Sequence, residues 1–306
     1  MTSTLIVGAG ATGSATALLL AGSGHKVRLV TRRGTGPRHP AIELVRADAS
    51  DADRLKELAA GTSVIFNCAM PAYHQWPELW PPLAVSMLGA AEAAGADLVM
   101  LGNGYGYGDV DPMTEDLPMR PTTVKGRVRA AMWLDALAAH EAGRVRVTEV
   151  RAADYLGPAA ASVFNFTVTQ QVLAGEPATY PAPVDVPHAW TATQDVARLL
   201  VAAAFDDRSW GRAWHVPNVA VLSVREVAER LTELTGSPRP TVTGMTRDEL
   251  VAAGADDPIL AELVEMLYLD EKPLVFDSTI TRETFGLEPS QLDDVLLEMS
   301  KLPPPT

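Results

Sequence analysis

The sequence is poor in cysteine, in basic charge and in long apolar runs, and each shortage excludes a class of protein. Its single cysteine, Cys68, rules out an internal disulfide framework and a thiolate zinc cluster. No stretch reaches the roughly 18 consecutive apolar residues that a membrane span needs. Lysine and arginine number 25 against 38 acidic residues, and the net charge of −13 disfavours binding to nucleic acid. The sequence therefore predicts a small-molecule ligand.

Other absences narrow the class further. The chain enters a strand-like run directly, without the basic segment and cleavage site of a signal peptide, which predicts a cytoplasmic protein. The six histidines lack the H-E-x-x-H pattern or a similar grouping with carboxylates, so the sequence indicates no metal site. It also lacks the G-x-S-x-G elbow of serine hydrolases. With 306 residues, 47% of them hydrophobic, an ordinary globular protein of one or two domains is expected.

The most informative feature that is present is a glycine pattern near the start of the chain. The apolar run Leu5-Ile6-Val7 leads into Gly8-Ala9-Gly10-Ala11-Thr12-Gly13, then a helical stretch and a second strand at Lys26 to Thr31. This is the dinucleotide-binding βαβ unit. Its first glycine allows a tight turn, its second lets the backbone approach a pyrophosphate, and its third permits close packing of helix on strand. We expect Gly8, Gly10, Ala11, Thr12 and Gly13 to contact the cofactor.

The end of the second strand indicates which dinucleotide binds. Sites that prefer NAD usually place an acidic residue there to bind the ribose 2′-hydroxyl, whereas this chain has Thr31, Arg32 and Arg33. Guanidinium groups bind phosphate through a planar, permanently charged fork. The sequence therefore predicts NADP, with NAD as the alternative. A basic pair in a solvated loop is the other interpretation.

Strand and helix patterns then alternate through the first half of the chain. Six strands interleaved with helices predict a doubly wound parallel α/β sheet, with ligands bound beyond the carboxyl ends of the strands. The expected strands are 5–7, 26–31, 43–46, 63–67, 98–101 and 145–152, and the expected helices between them include 51–60, 83–94 and 123–141.

The alternation ends near Gly157-Pro158, and four prolines between residues 177 and 187 indicate a loop-rich region. Helices are expected at 194–205, 224–234, 247–253, 259–267 and 290–299, before the proline tail at 303–305. We therefore expect a dinucleotide-binding domain formed by residues 1–157 with 189–218. The remaining segments, 158–188 and 219–306, are expected to form a smaller, mainly helical substrate-binding lobe.

Several short motifs, taken in order, resemble the extended and atypical short-chain dehydrogenases, the NAD(P)-dependent epimerase/dehydratase group with a Rossmann fold. The resemblance covers essentially the whole length. Beside the glycine pattern it is carried by Asp48, Asn67-Cys68-Ala69, Tyr107-Gly108, Lys125, Arg151 to Pro158 and Gln194-Asp195-Val196-Ala197.

The resemblance implies roles for particular residues. Asp48 and Ala49 would contact adenine, Cys68 and Ala69 would lie along the nicotinamide ribose, and Lys125 would bind the ribose hydroxyls. Ala153 would flank the nicotinamide. The resemblance also makes a homodimer plausible.

The chain departs from this family where the chemistry is most specific. The family uses a tyrosine four residues before the lysine as general acid/base, and this position is Pro121. The family's Ser or Thr position is Asn103, which can polarise an oxyanion but cannot transfer a proton. Tyr105 and Tyr107 are the nearest phenols that could supply the proton, and the lysine charge would favour their phenolate forms. The candidate catalytic residues are therefore Asn103, Tyr105, Tyr107 and Lys125.

Further polar and aromatic residues follow strands that end at the expected cleft. Surface anchoring or core packing is the alternative for each, and His215 is expected to be a satisfied sheet residue. On the helix of Lys125, Arg127 and Arg129 are expected on a solvated face. The candidate substrate contacts are Tyr73, His74, Asp154, Tyr155, His188 and Trp190.

Two classes of function fit these residues. The first is an NADP(H)-dependent oxidoreductase, isomerase or epimerase that acts on a small organic substrate. The second is a dinucleotide-binding sensor or non-redox protein on the same fold, without hydride transfer. The retained glycines and Lys125 fit both classes, whereas Pro121 and Asn103 favour the second more than an ordinary family member would. The loops that form the cleft, the several phenols and the C-terminal lobe indicate a pocket for a further ligand, so the sequence predicts the enzyme first.

Overall fold

A seven-stranded parallel sheet forms the centre of the molecule in the computed structural model, which describes residues 3–301. The proline tail expected at 303–305 lies outside the described residues. The strands of this sheet are β1 (Ser3–Val7), β2 (Lys26–Thr31), β3 (Ile42–Arg46), β4 (Val64–Asn67), β5 (Asp97–Asn103), β6 (Val147–Ala152) and, farther along the chain, β10 (Ala213–His215).

The strand order in this sheet is β10-β6-β5-β4-β1-β2-β3, and every neighbouring pair is parallel. The predicted doubly wound fold is therefore confirmed. The order reverses between β1 and β4, which pair directly from Thr4 with Val64 to Val7 with Asn67. Ligands of open parallel sheets bind at such a reversal, beyond the carboxyl ends of the strands. We call the space at this edge the cleft.

Helices cover both faces of the sheet, as a parallel sheet requires. On one face, α1 (Ala11–Gly22) packs against α6 (Thr193–Ala204) over the apolar side chains of the central strands. The other face carries α2 (Ala52–Ala59), α3 (Trp76–Ala94) and α4 (Val124–Glu141). The resulting three-layer arrangement leaves only the edges of the sheet open to ligands.

Helix α3 begins seven residues before the predicted start at Leu83. The predicted start was wrong because the segment before Leu83 is helical although it contains Pro81 and Pro82, and proline donates no backbone hydrogen bond. Here both lie inside the helix. The preceding turn buries Trp76 and Trp80, each 1% exposed, and this packing holds the segment in helical form despite the lost bonds.

A second core lies behind the cleft. A small sheet has the order β11-β9-β7, and β12 pairs with β8. The remaining elements are β7 (Asp154–Leu156), α5 (Gln170–Leu173), β8 (Ala178–Tyr180), β9 (His188–Ala192), β11 (Ala220–Leu222), α7 (Val224–Thr235), β12 (Val242–Gly244), α8 (Arg247–Ala253), α9 (Pro258–Leu263), α10 (Thr279–Phe285) and α11 (Leu292–Met299).

Strands β7 and β9 join the two parts of the molecule. Leu156 of β7 and Trp190 of β9 pack in the second core with side chains of α7 and α11. In the chain, however, β7 comes directly after β6 of the large sheet, and β9 leads into α6, which covers that sheet. The division into residues 1–157 with 189–218 and a separate lobe stays a proposal. The packing indicates that β7 and β9 belong with the lobe.

Candidate active site

The turn after β1 packs directly against the loop after β4. Gly8 has a φ of 101°, and a Cβ there would lie 2.4 Å from the carbonyl oxygen of Cys68. A Cβ on Gly13 would lie 2.0 Å from the Gly8 carbonyl oxygen, so only glycine lets α1 approach the turn this closely. Gly10, in contrast, has no atom within 4 Å of an added Cβ. The turn is thus closed behind Gly8 and Gly13 and open in front of Gly10.

The open side of this turn leads to the N-terminus of α1. Its N-cap residue, Gly10, makes no side-chain cap, and the first turn has no acidic residue, so backbone N–H groups and a partial positive charge face outward. A groove of about 630 Å³ begins here. Ala9, Gly10, Ala11, Ser14, Ala15, Leu18, Leu19, Pro158, Ala159 and Gln194 line it. This arrangement is suited to an anion such as a pyrophosphate.

The segment after β2 presents two arginines to solvent. Thr31 does not point into the cleft, because its hydroxyl accepts a hydrogen bond from the Thr35 backbone N–H at 3.0 Å and so shapes the turn. Arg32 and Arg33 are exposed, and within residues 3–301 neither forms an ion pair. The carboxylate of Asp48 lies beside them, and hydrogen bonds from Ser50, with a smaller contribution from the Arg32 charge, lower its pKa.

The loops after β3, β4 and β6 complete the same edge. Ala49 is buried, and Ala69 donates its backbone N–H to the side chain of Asn67. Burial raises the pKa of the Cys68 thiol to about 12, so this cysteine is a neutral packing residue. Ala153 is half-buried and donates its N–H to the Thr191 hydroxyl at 3.2 Å.

The two tyrosines after β5 point to different places. Tyr105–Tyr107 form a turn of 3₁₀-helix, in which residues two apart cannot share a face. Tyr107 is 3% exposed, its hydroxyl lies 2.7 Å from Nε2 of His215, and it also accepts a hydrogen bond from Arg151. Burial raises the pKa of Tyr107 to about 12. We therefore revise the catalytic role expected for Tyr107, because its hydroxyl is committed to a buried network.

His215 lies in strand β10, where the sequence predicted a sheet residue. Its Nδ1 is 2.8 Å from the Asp277 carbonyl oxygen, so both ring nitrogens have partners. Burial, followed by the positive charge of Arg151, lowers the pKa of His215 to about 3. The imidazole is therefore neutral at physiological pH, and the expectation of a satisfied sheet residue is confirmed.

Tyr105 instead faces the cleft beside Tyr73. The two phenols are close enough to influence each other's pKa, and Trp76 packs against both rings at centroid distances of 5.0 Å and 6.1 Å. Burial and then the neighbouring negative charge of Asp154 raise the pKa of Tyr105. Burial likewise raises the pKa of Tyr73. The expectation that the lysine charge would favour the phenolate forms of Tyr105 and Tyr107 was wrong, because burial raises the pKa of both hydroxyls.

Lys125 is fully buried and its charge is matched by two carboxylates. Its Nζ pairs with Glu262 of α9 and lies 3.4 Å from Glu265, and it sits 4.4 Å from the centre of the Tyr73 ring. Glu265 also accepts the backbone N–H groups of Val124 and Lys125 at the start of α4. We call Lys125, Glu262 and Glu265 the lysine cluster. It corrects the expectation of a lysine open to ribose hydroxyls, because two carboxylates already accept from its ammonium group.

One turn farther along α4, Arg129 is also buried. It is 5% exposed, donates to the Leu101 carbonyl oxygen, lies 3.6 Å from Glu149 and stacks over Trp80. The expectation of a solvated face was wrong for Arg129 and holds only for Arg127, which is exposed. The two arginines of α4 therefore lie on different faces of the helix: Arg129 faces the interior and Arg127 faces solvent.

Asn103 and Pro121, which stand at the family's Ser/Thr and Tyr positions, lie near these groups. Asn103 ends β5, and its side-chain oxygen accepts the Tyr105 backbone N–H at 3.2 Å. Pro121 precedes α4, which begins at Val124 with Thr123 as its N-cap. Pro121 therefore does not share a helical face with Lys125.

Of the remaining substrate candidates, Asp154 is partly exposed, whereas His188 and Trp190 are buried. Asp154 is half exposed, and its Oδ2 lies 3.2 Å from Nε2 of the buried His188. Burial opposes protonation of His188, but Asp154 and Asp270 outweigh it and raise the histidine pKa. Trp190 is 1% exposed, donates its indole N–H to the Leu222 carbonyl and packs on His188. We therefore revise its role from substrate contact to support of His188.

Tyr155 and His74 differ in burial. Tyr155 is half-buried, burial raises its pKa, and Arg129 and Cys68 are its charged or titratable neighbours, which indicates that it faces the β4 loop. His74 is exposed in the 3₁₀ turn Tyr73–Gln75. Neither placement excludes contact with a ligand.

Sequence reasoning missed the acidic side chains that the lobe brings to the cleft. Glu262 and Glu265 stand three residues apart, as on any solvated helix, and Asp270 follows without a motif. Burial, with the charge of Asp154, raises the pKa of Asp270. Their lysine and histidine partners are at least 80 residues away in the chain, so no local spacing could reveal them.

Solved structures of similar fold include enzymes that act on sugar nucleotides. UDP-glucose 4-epimerase of Thermotoga maritima, solved with UDP-glucose, is 17% identical over 98% of this chain and 97% of its own, with a TM-score of 0.79. WbmH of Bordetella bronchiseptica, solved with NAD⁺, is 19% identical over 97% of each chain, with a TM-score of 0.75. dTDP-glucose 4,6-dehydratase of Bacillus anthracis, solved with NAD, is 16% identical over 98% and 96%, with a TM-score of 0.79.

At these identities the likeness concerns the fold. No curated protein matches the chain in sequence. The sequence model of the NAD dependent epimerase/dehydratase family, in contrast, matches residues 4–216, which include the whole large sheet except its first residue, Ser3. The chain therefore belongs to the NAD-dependent epimerase/dehydratase family of enzymes.

Proposed function

We propose that this protein is an NADP(H)-dependent oxidoreductase or epimerase/isomerase of the atypical short-chain dehydrogenase type, acting on a small, uncharged organic substrate. The observation that carries the proposal is the juxtaposition of two features in one cleft. The glycine turn is closed behind Gly8 and Gly13 and open at Gly10, and a protonated phenol, Tyr105, faces the same cleft.

The residues at the sheet edge fit a dinucleotide. Gly10, Ala11 and Thr12 would hold the pyrophosphate with backbone N–H groups at the uncapped start of α1. Asp48 and Ala49 would contact adenine, and Cys68, Ala69 and Ala153 would lie along the nicotinamide end. Arg32 and Arg33 would bind a 2′-phosphate, because two exposed guanidinium groups stand where an acidic residue would favour NAD.

Tyr105 is the residue to which we assign proton transfer. The bound cofactor would supply or accept a hydride at carbon, and a carbonyl oxygen that gains negative charge needs a proton at the same time. Tyr105 holds such a proton because its pKa is raised, and Tyr73, which is close enough to influence that pKa, can return it. The Asn103 amide is the group that would donate a hydrogen bond to the developing oxyanion.

Lys125 acts in this proposal through its neighbours. Its ammonium group lies over the Tyr73 ring and holds that ring against Trp76. Contact between Lys125 and a ribose hydroxyl would require Glu262 and Glu265 to release it. We therefore assign Lys125 to positioning Tyr73.

The charges near the cleft favour an uncharged substrate. Asp154, Asp270 and the lysine cluster bring more carboxylates than cations to this region. In the lobe, each arginine among residues 219–301 is already paired with a carboxylate, namely Arg225, Arg230, Arg239, Arg247 and Arg282. A sugar nucleotide, as bound by the structural neighbours, would need free cations for its diphosphate.

The second candidate is a dinucleotide sensor without hydride transfer. The specific observation in its favour is the lysine cluster, because a buried Lys125 paired with two carboxylates, together with Pro121 at the tyrosine position, removes the family's usual catalytic pair. The two functions differ in whether NADPH is consumed by a small carbonyl compound or only bound.

Replacement of both arginines tests the cofactor assignment. Arg32→Ala with Arg33→Ala should weaken NADPH binding by about tenfold or more and leave NADH affinity nearly unchanged, because only NADPH carries the 2′-phosphate. Fluorescence titration of both nucleotides measures the two affinities.

A matched double variant, Arg120→Ala with Arg127→Ala, removes the same charge from two other exposed arginines. It should bind both nucleotides as the unchanged protein does. Equal weakening of NADPH and NADH by the Arg32 and Arg33 changes would refute the 2′-phosphate assignment.

A further inference from the structure

Three side chains from separate elements converge at the lobe side of the cleft. Asp154 begins β7, His188 begins β9, and Asp270 ends the 3₁₀ segment Val264–Leu269. One oxygen or nitrogen atom of each lies within 4.8 Å of the other two. A backbone bridge between His188 and Leu274 holds the segment that follows Asp270 beside β9. We call these three residues the acid–histidine cluster.

His188 is the unusual member of this cluster. It is 2% exposed, and neither ring nitrogen has a well-aligned hydrogen bond. Its Nε2 is 3.2 Å from Oδ2 of Asp154, but the two are not oriented as an N–H donor and its acceptor. A buried polar group without a partner destabilises the folded state, so such groups are uncommon unless a ligand or ion completes them.

Asp270 shows the same deficiency on the opposite side. Its Oδ1 is buried without a hydrogen-bond partner, while the Tyr180 hydroxyl interacts with the same carboxylate. His188 and Asp270 thus bring buried, unsatisfied atoms to the place where the half-exposed carboxylate of Asp154 lies. A cation placed between them would satisfy all three and offset the repulsion between Asp154 and Asp270.

The spacing and the types of atom suit a divalent metal. Two ligands at about 2.1 Å from one ion and at right angles lie about 3.0 Å apart, close to the separation of His188 Nε2 and Asp154 Oδ2. One imidazole and two carboxylates are a ligand set typical of Mn²⁺ and Zn²⁺. Trp190 fixes the histidine ring from behind at a centroid distance of 4.3 Å.

We propose that Asp154, His188 and Asp270 form a binding site for a divalent transition metal of the Mn²⁺ or Zn²⁺ type. Three protein ligands leave further coordination positions. Because Asp154 is half exposed toward the cleft, a water molecule or a substrate hydroxyl or carbonyl oxygen would occupy them. The site does not depend on the assignment of the cofactor or of Tyr105.

Metal titration of the purified full chain tests this site. After treatment with a chelator and its removal, MnCl₂ is titrated while the signal of free Mn²⁺ is followed by electron paramagnetic resonance, and ZnCl₂ is added in a thermal-shift assay. We expect one Mn²⁺ bound per chain with saturation, and a higher melting temperature with Zn²⁺.

Variants assign that binding to the three residues. Asp270→Asn and His188→Gln should each lower Mn²⁺ affinity by about tenfold or more. Asp154→Asn should do the same, and because Asp154 is half exposed, this variant keeps the test valid if the buried variants do not fold. Asp207→Asn, which changes an exposed carboxylate on the far side of the sheet, should bind Mn²⁺ normally.

Two results would overturn the proposal. One is the absence of saturable Mn²⁺ or Zn²⁺ binding by the folded, unchanged chain. The other is unchanged stoichiometry and affinity in Asp154→Asn, which would assign the binding to other acidic groups of the surface. Neither result would bear on NADPH binding, so the two proposals fail separately.

Discussion

At the scale of single residues, two tyrosines separated by one glycine have different environments. Tyr107 is held by Arg151 and His215 inside the sheet edge, whereas Tyr105 meets Tyr73 in the cleft. Gly106 between them has no room for a side chain, because a Cβ would lie 2.6 Å from the sulfur of Met119. The sequence indicated both phenols as candidates, but only their contacts separate a structural hydroxyl from an accessible one.

Removal of the Tyr105 hydroxyl should affect turnover without affecting cofactor affinity. Tyr105→Phe is expected to lower kcat by at least about tenfold, because positioned acid catalysis typically contributes 10²- to 10⁴-fold. Turnover is measured by NADPH absorbance with the best substrate of a carbonyl panel, and affinity by fluorescence. Tyr107→Phe serves as the comparison and should lower stability instead, since it leaves Arg151 and His215 short of a partner. Unchanged kcat in Tyr105→Phe would remove the assignment.

His215 should make the stability of the protein depend on pH. Its pKa is about 3 in the folded chain and about 6.5 when unfolded, so the unfolded state binds more protons between these values. The free energy of unfolding should therefore fall as the pH is lowered from 7, by up to about 1.4 kcal/mol per pH unit below pH 6. Urea denaturation at pH 7 and pH 5 measures the change. His215→Gln should be less stable at pH 7 but show a weaker pH dependence, and an equal dependence would contradict this account.

At the scale of elements, the glycine turn and α1 form a unit whose conformation can be predicted from the local sequence. The roles of Gly8 and Gly13 were predictable because the close contacts that require glycine involve the turn itself and the loop of the adjacent strand. The start of α3 was not, because the burial of Trp76 and Trp80 overrides the prolines of the same segment. For β10 the sequence predicted only that His215 is a sheet residue, since three residues are too few to define the bounds of a strand.

Two alanine substitutions in the same turn should have opposite consequences. Gly10→Ala should keep the melting temperature, because nothing lies near the added methyl group, but weaken NADPH binding about tenfold by obstructing the pyrophosphate. Gly13→Ala should destabilise the protein by about 1–3 kcal/mol, because its Cβ would meet the Gly8 carbonyl. Thermal unfolding and nucleotide titration are compared for both.

Gly22→Ala is the control for this pair, because it adds a methyl group to the same helix where no atom lies within 4 Å. It should change neither folding nor binding adversely. NADPH affinity in Gly10→Ala equal to that of Gly22→Ala would mean that no ligand approaches the turn.

At the scale of the whole molecule, the lobe closes over the sheet edge and supplies acidic groups to it. Glu262, Glu265 and Asp270 reach Lys125 and His188 across more than 80 residues of sequence, which explains why the fold was predictable and this half of the site was not. None of the helices described in residues 3–301 could span a membrane. The cytoplasmic location and the homodimer stay predictions, and the exposed Val85 and Leu134 on α3 and α4 are apolar surface that a second copy would cover.

Calorimetric titration of the purified chain with NADPH and with NADH tests the central claim, that the glycine turn of this chain holds a dinucleotide. We predict saturable heat with one nucleotide per chain and a higher affinity for NADPH. The absence of heat with both nucleotides, from protein shown to be folded, would contradict the account.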